Sequence, residues 1–287
     1  MSAAAKPLDV VIKTHVPDWV PFLQLQSDLA AHSRLHGRVY VIVPGGERDR
    51  FVDVVARDTV VLATEEVAAA AGYQGEFPDT WFTQQVLKII AANVTEQEYF
   101  LVLDSNTLIG FDFDERHFLS RGEYVYAVDD FRDVAWELQS RNFLGLQTPG
   151  RLTGFRAANQ IFSKQNVQAL VHHVERMYRD NIVRILLDHS NELNTTFWTE
   201  FALYGVFVQS FCQGAGHCFE QRSDLIHFSA RRNFAHFIED VEALAPLMIK
   251  FNKTRPGQYD LGSKEYARRV SEIKRAYRRR LKTRAAG

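Results

Sequence analysis

The chain has 287 residues, 46% of them hydrophobic and 24% charged, an ordinary globular balance long enough for one large domain with a substantial core. A formal net charge of −1 excludes a global electrostatic pull toward nucleic acid. The two cysteines, Cys212 and Cys218, make no disulfide framework and suit a reducing cytoplasm, and their spacing around His217 fits no common zinc pattern.

The opening residues lack the basic-then-apolar pattern of a secretory signal. No uncharged apolar run approaches the roughly 20 residues that span a bilayer. A soluble or peripherally attached protein is expected. Charge is unevenly placed: Lys264 to Arg284 carries ten Lys or Arg against Glu265 and Glu272, a net +8 that leaves −9 on the rest. Such a block is either a solvated helix face or a patch for an anionic membrane surface.

The first half alternates strand and helix patterns. Residues 8–14 form a short apolar run expected as a buried first strand, followed by helical spacing from Trp19 to Ala30. A second strand over 38–43 stops at Pro44-Gly45-Gly46, a helix is expected around 47–56, and a third strand over 59–63. Asp79 or Thr80 caps a helix running to about Asn93. Residues 99–103 (YFLVL) are continuous and apolar, hence central and covered on both faces, and 124–128 give another strand. The second half is less regular: strand-like over 158–163 and mostly helical over 166–180, 194–205 and 233–251. The alternation predicts an α/β fold with a mostly parallel central sheet flanked by helices. The expected organisation is one domain over 1–262 with a basic helical tail over 263–287.

In open α/β sheets ligands bind beyond the carboxyl ends of the strands. The central strand delivers Asp104 there, and Asn106 places a carbonyl oxygen two residues on. Such hard oxygen donors suit Mn²⁺ or Mg²⁺. Ahead of that strand, Gln84, Gln85 and Lys88 share one side of a helix, where a fixed ammonium neutralises phosphate. A third segment, 194–205, sets Glu200 among Trp198, Phe201 and Tyr204; apolar surroundings raise a carboxyl toward general-base duty. His227 lies in a late apolar, strand-like setting, followed by Arg231 and Arg232. Thr14 and His15 end the first strand. Asp112, Asp114, Asp129 and Asp130 read no differently from turn residues.

Taken in order, these segments resemble the GT-A fold glycosyltransferases. The stretch at Asp104 resembles their DxD region, with Asn106 in place of the second acid. Trp81 to Lys88 is similar to the W-x-x-Q-Q-x-x-K helix of a set of bacterial glycosyltransferase-like proteins, and Thr199 to Gly205 to their (S/T)-E-(Y/F)-x-L-Y-G segment. The resemblance implies a Rossmann-like sheet and a nucleotide-sugar donor, a UDP-sugar first. The basic tail, as a membrane-touching patch, adds the expectation of a glycan or lipid-linked acceptor at the cytoplasmic membrane face. Thr14, His15, Gln85, Lys88 and Asp104 would bind the nucleotide. Asp104, Asn106 and His227 would hold the metal. Glu200 and Lys88 would be catalytic, and Trp198 and Tyr204 would receive the acceptor.

Other nucleotide enzymes are disfavoured. Lys13-Thr14-His15-Val16-Pro17 after the first strand is not the glycine-rich loop of a nucleotidyltransferase, and G-x-G-x-x-G, G-x4-G-K-(S/T) and G-x-S-x-G are all absent. The alternative of another class is a non-catalytic binding module on a degenerate transferase fold, favoured by Asp-x-Asn.

Overall fold

A computed structural model describes residues 5–78, 81–128, 135–146, 152–155, 158–189, 198–228, 234–251 and 263–286. β1 (Leu8–Lys13) is buried along its whole length, so its alternating side chains serve both faces of a sheet. After a 3-10 turn at Val16–Asp18, α1 (Trp19–His32) packs Phe22, Leu25 and Leu29 against one face. β2 (Val39–Val43), α2 (Arg48–Val52), β3 (Val60–Ala63) and α3 (Thr64–Ala70) continue the alternation. α4 (Trp81–Ile90) covers the opposite face and leads into β4 (Tyr99–Asp104).

Next come β5 (Thr107–Ile109), β6 (Leu119–Ser120), β7 (Glu123–Val128), α5 (Ala135–Phe143) and β8 (Ile161–Ser163). The central sheet runs β3-β2-β1-β4-β8, parallel except for β8, which pairs antiparallel with β4. The expected α/β architecture is therefore present. The strand at 124–128 differs from its expected place: β7 belongs to a separate sheet with β6 and β9.

The remaining elements are α6 (Lys164–Tyr178), α7 (Ile182–Asp188), α8 (Glu200–Phe211), β9 (His217–Gln221), β10 (Ile226–Phe228), α9 (Phe234–Leu244), β11 (Met248–Lys250) and α10 (Ser263–Ala286). The helix read over 233–251 stops early. Ala245 takes a left-handed φ of 44° and Pro246 follows, which disfavours helix at the residue before it. The chain then returns as β11, parallel to β10 and antiparallel to β5.

α10 is amphipathic and packs Tyr266, Val270, Ile273 and Tyr277 against Phe237, Val241, Ile249 and Phe251. Gly110 permits that approach, since a Cβ there would meet the Tyr277 ring. No helix of the described residues is long and apolar enough to cross a membrane.

Candidate functional site

Asp104 closes β4 beside the end of β1, in register with Lys13. Asn159 fixes its backbone: the Asn159 Oδ1 accepts from the Asp104 amide at 3.0 Å and from the Thr107 hydroxyl at 3.1 Å. Asn159 holds a φ of 61°, a left-handed conformation that Asn tolerates better than most residues. The Asp104 carboxylate takes two ammonium groups, Lys88 Nζ on Oδ1 and Lys250 Nζ on Oδ2.

Lys88 comes from the buried stripe of α4. Its Nζ also donates to Glu200 Oε1 at 2.7 Å and lies 5.2 Å from the centre of the Phe201 ring. The side-chain amide of Gln85, one turn earlier, faces the same carboxylate, and its nitrogen is assigned as the donor to Glu200 because a carboxylate can only accept. Glu200 opens α8, whose N-terminus is capped by Thr199 Oγ1 accepting from the Ala202 amide at 3.1 Å.

The four charges thus alternate in a line, Glu200–Lys88–Asp104–Lys250. Exposure rises along it: the side chains are 2%, 3%, 13% and 23% exposed. Burial works against the charge on Lys88, but Asp104 and Glu200 outweigh it and raise its pKa. Burial likewise opposes the Asp104 charge, and Lys250 and Lys88 more than reverse that, holding its carboxyl well below the usual range. At Glu200 burial prevails over Lys88 and lifts the carboxyl above its ordinary value.

Beside this line, Ser105 Oγ donates to Asp18 Oδ2 at 3.2 Å, and His15 Nε2 lies 3.3 Å from the same Asp18 oxygen. The end of β1 and the turn after β4 are therefore tied together. Two enclosed polar atoms here, Thr14 Oγ1 and Asn159 Nδ2, have no hydrogen-bond partner.

A model of a family of unknown function, DUF6492, matches residues 23–230, well over half of the chain. The chain belongs to the DUF6492 family. No curated protein sequence matches it. Solved structures do: LgtC, a galactosyltransferase crystallised with donor and acceptor sugar analogues, has a TM-score of 0.53 at 10% identity, over 93% of this chain and 95% of that one. An active-site mutant of LgtC gives 0.52 at 12%, over 92% and 95%. These likenesses give the DUF6492 chain a glycosyltransferase-like GT-A fold.

The structure brings Gln85, Lys88, Asp104 and Glu200 into contact, with Thr14, His15 and Asn106 at the adjoining strand ends. It departs from the sequence reading elsewhere. Trp198 and Tyr204, expected to meet the acceptor, are fully enclosed in the core. The Tyr204 ring stacks on Phe162, and its hydroxyl accepts from the Ser163 amide at 2.8 Å and meets His217 Nε2 at 2.6 Å. Lys88, read as a phosphate ligand, is sealed between two carboxylates. Glu200, read as a base, faces Lys88 and Gln85 rather than a cleft.

His227 sits on β10 in register with Ile249, one strand removed from β5; its side chain lies outside the described residues, as do residues 129–130 and 231–232. Among the described residues no three His, Cys, Asp or Glu converge on a point that would hold a metal. Both Asp104 oxygens already carry ammonium partners. As they stand, the described donors do not fit Mn²⁺ or Mg²⁺.

Lys250 and Asn159 are the site residues that sequence reading missed. A further pair starts from the same helix. Trp81, Gln85 and Lys88 occupy positions i, i+4 and i+7, one stripe of α4. Trp81 is 45% exposed, and its ring lies 6.3 Å from the half-buried Trp136 of α5 with the planes inclined at 30°.

Proposed function

We propose that this DUF6492 chain is a glycosyltransferase that moves a sugar from a nucleotide-diphosphate donor, a UDP-sugar first, to a hydroxyl of a glycan or lipid-linked acceptor. The observation that carries the reading is the alternating line of charge that surfaces at the carboxyl edge of β1 and β4. On a GT-A-like sheet this edge is where a sugar nucleotide belongs.

In this reading the nucleotide lies against Thr14 and His15, and its diphosphate against the outer end of the line. Fixed cations there stabilise the negative charge that grows on the leaving diphosphate. Glu200 acts through Lys88: its carboxylate, faced by the Gln85 amide, holds the ammonium in place, and Lys88 in turn orients Asp104. Trp81, exposed on the same stripe of α4, and the half-buried Trp136 of α5 offer apolar faces to the C–H side of an acceptor sugar ring. Membrane contact through α10 belongs to the same proposal, at the cytoplasmic face, and rests on the charge of its outer side.

A calorimetric titration with UDP and GDP tests the reading, followed by a transfer assay with the sugar nucleotide of whichever base binds. Micromolar binding that Asp104→Ala weakens supports it. Binding without turnover, for any sugar of that base, would favour the second reading, a non-catalytic sugar-nucleotide or glycan-binding module. The enclosure of Glu200 favours that alternative, because it keeps the carboxylate from an acceptor.

A further inference from the structure

We propose that Lys250 occupies the place of the divalent cation at this edge, so that the donor diphosphate is bound by an ammonium group instead of a bridging metal. The inference rests on the sugar-nucleotide reading above and adds to it how the diphosphate is held.

Four observations converge on it. Lys250 Nζ sits on Asp104 Oδ2 and Lys88 Nζ on Oδ1, so each oxygen of the carboxylate that ends β4 already has an ammonium partner. The residue two positions on is Asn106, neutral and a weaker cation ligand than a second acid. Lys250 is also built in rather than loosely draped. β11 pairs with β5 so that Lys250 is opposite Thr107, and the next amide, Phe251 N, donates to the Asn106 carbonyl at 3.0 Å. The strand therefore delivers a cation to the turn that carries Asp104 and Asn106.

The fourth observation is the order of exposure. Lys88 is closed in by Asp104 and Glu200, while Lys250 is the outermost member of the line and the most exposed. A phosphate approaching this edge meets Lys250 first. Asp104 then serves as the anchor of Lys250, and a fixed ammonium meets phosphate as a point charge.

The test uses the full chain and UDP and GDP as probes, by calorimetry with Mn²⁺ and with EDTA, in wild type, Lys250→Met and Lys250→Arg. Thermal melts confirm that each variant folds. The expected result is wild-type affinity for one nucleotide that is the same within about twofold with metal or chelator, a loss of about tenfold or more in Lys250→Met, and most of the affinity kept in Lys250→Arg. Nucleotide binding that EDTA abolishes and Mn²⁺ restores would overturn the inference and leave the transferase reading standing. So would unchanged affinity in Lys250→Met. Electron paramagnetic resonance with Mn²⁺ alone gives a second readout: uptake by wild type that is lost in Asp104→Asn also overturns it. Failure of both nucleotides to bind under every condition would sink the transferase reading and this inference together.

Discussion

Lys88 and Glu200 stand 112 positions apart in the chain and meet at 2.7 Å, both almost wholly enclosed. That contact joins α4 to the start of α8 and seats Lys88 against Asp104 at the end of β4. Removing the cation alone leaves carboxylates stranded in the interior. Lys88→Met should therefore destabilise the fold by about 3–5 kcal/mol. Lys88→Met with Glu200→Gln should cost less than the two single changes added together, with a coupling of about 1–3 kcal/mol. Urea unfolding of the four proteins measures this. Additivity within about 0.5 kcal/mol would mean that the pair is not a unit.

Glu200→Gln also separates two roles. A general base in direct contact with the acceptor is worth about 100- to 10,000-fold in rate, and its loss removes the acidic limb of the pH–rate profile. A carboxylate acting through Lys88 should cost about tenfold in kcat and leave that limb in place. Nucleotide affinity should stay within about twofold of wild type. Turnover with the sugar nucleotide across pH decides between them. A vanished acidic limb would restore Glu200 as the base.

Much of this site was legible because it lies on strong local patterns. The continuous apolar run 99–103 could only be a covered strand, and its end fixed Asp104. The period of α4 put Gln85 and Lys88 on one stripe. What the period could not tell is that this stripe faces inward, because the partner that neutralises it, Glu200, comes from far along the chain. Lys250 was hidden for a different reason. The pattern over 233–251 is helical up to Leu244, and the signal that breaks it is the single Ala245-Pro246 step. Asn159 gave no signal at all, since its left-handed backbone and its bond to the Asp104 amide are tertiary facts. Trp198 and Tyr204 look like ligand aromatics in sequence and are core, because α8, which Trp198 precedes and Tyr204 belongs to, is buried nearly all round over its first nine residues.

His217 makes the fold acid-sensitive. It is enclosed, and burial lowers its pKa from the ordinary value of 6.5 to about 3, so the folded protein keeps it neutral. Between those values the unfolded chain takes up a proton that the folded one refuses. The stability that neutral His217 secures is thus complete above pH 6.5 and falls as the pH drops toward 3, by on the order of 3–5 kcal/mol. Urea midpoints across that window should show the fall in wild type and a shallower one in His217→Gln, which keeps an acceptor for the Tyr204 hydroxyl. Equal slopes would assign the acid loss to other groups.

Trp81 and Trp136 are expected to act on the acceptor alone. A stacking contact of this kind is worth about 0.5–1.5 kcal/mol, which corresponds to about a 2- to 12-fold rise in the acceptor KM when it is lost. Trp81→Ala should show that rise while nucleotide affinity is unchanged, and Trp81→Phe should recover part of it. Steady-state kinetics at saturating donor gives the split. A change in donor affinity with an unaltered acceptor KM would remove the pair from the acceptor side.

The basic C-terminal helix is bound to the body more firmly than a charged tail need be. Lys274 reaches the buried Asp28 at 2.5 Å, Arg268 and Arg269 pair with Glu265, and Arg279 pairs with Glu242. Part of its charge is thus spent within the molecule, and its inner face fills a core of its own. Deleting residues 263–287 should unfold or aggregate the protein, because Phe237, Val241, Ile249 and Phe251 would lose their cover. Gly110→Ala tests the same packing with one methyl, which must push the Tyr277 ring aside; a drop of about 1–3 kcal/mol in stability is expected. Membrane contact is a separate question, answered on the outer face. Arg275→Glu with Arg278→Glu should leave the melting temperature near wild type and abolish salt-sensitive sedimentation with vesicles containing phosphatidylserine. Vesicle binding that survives those changes, or that wild type never shows, would mark the outer arginines as a solvated helix face and no more.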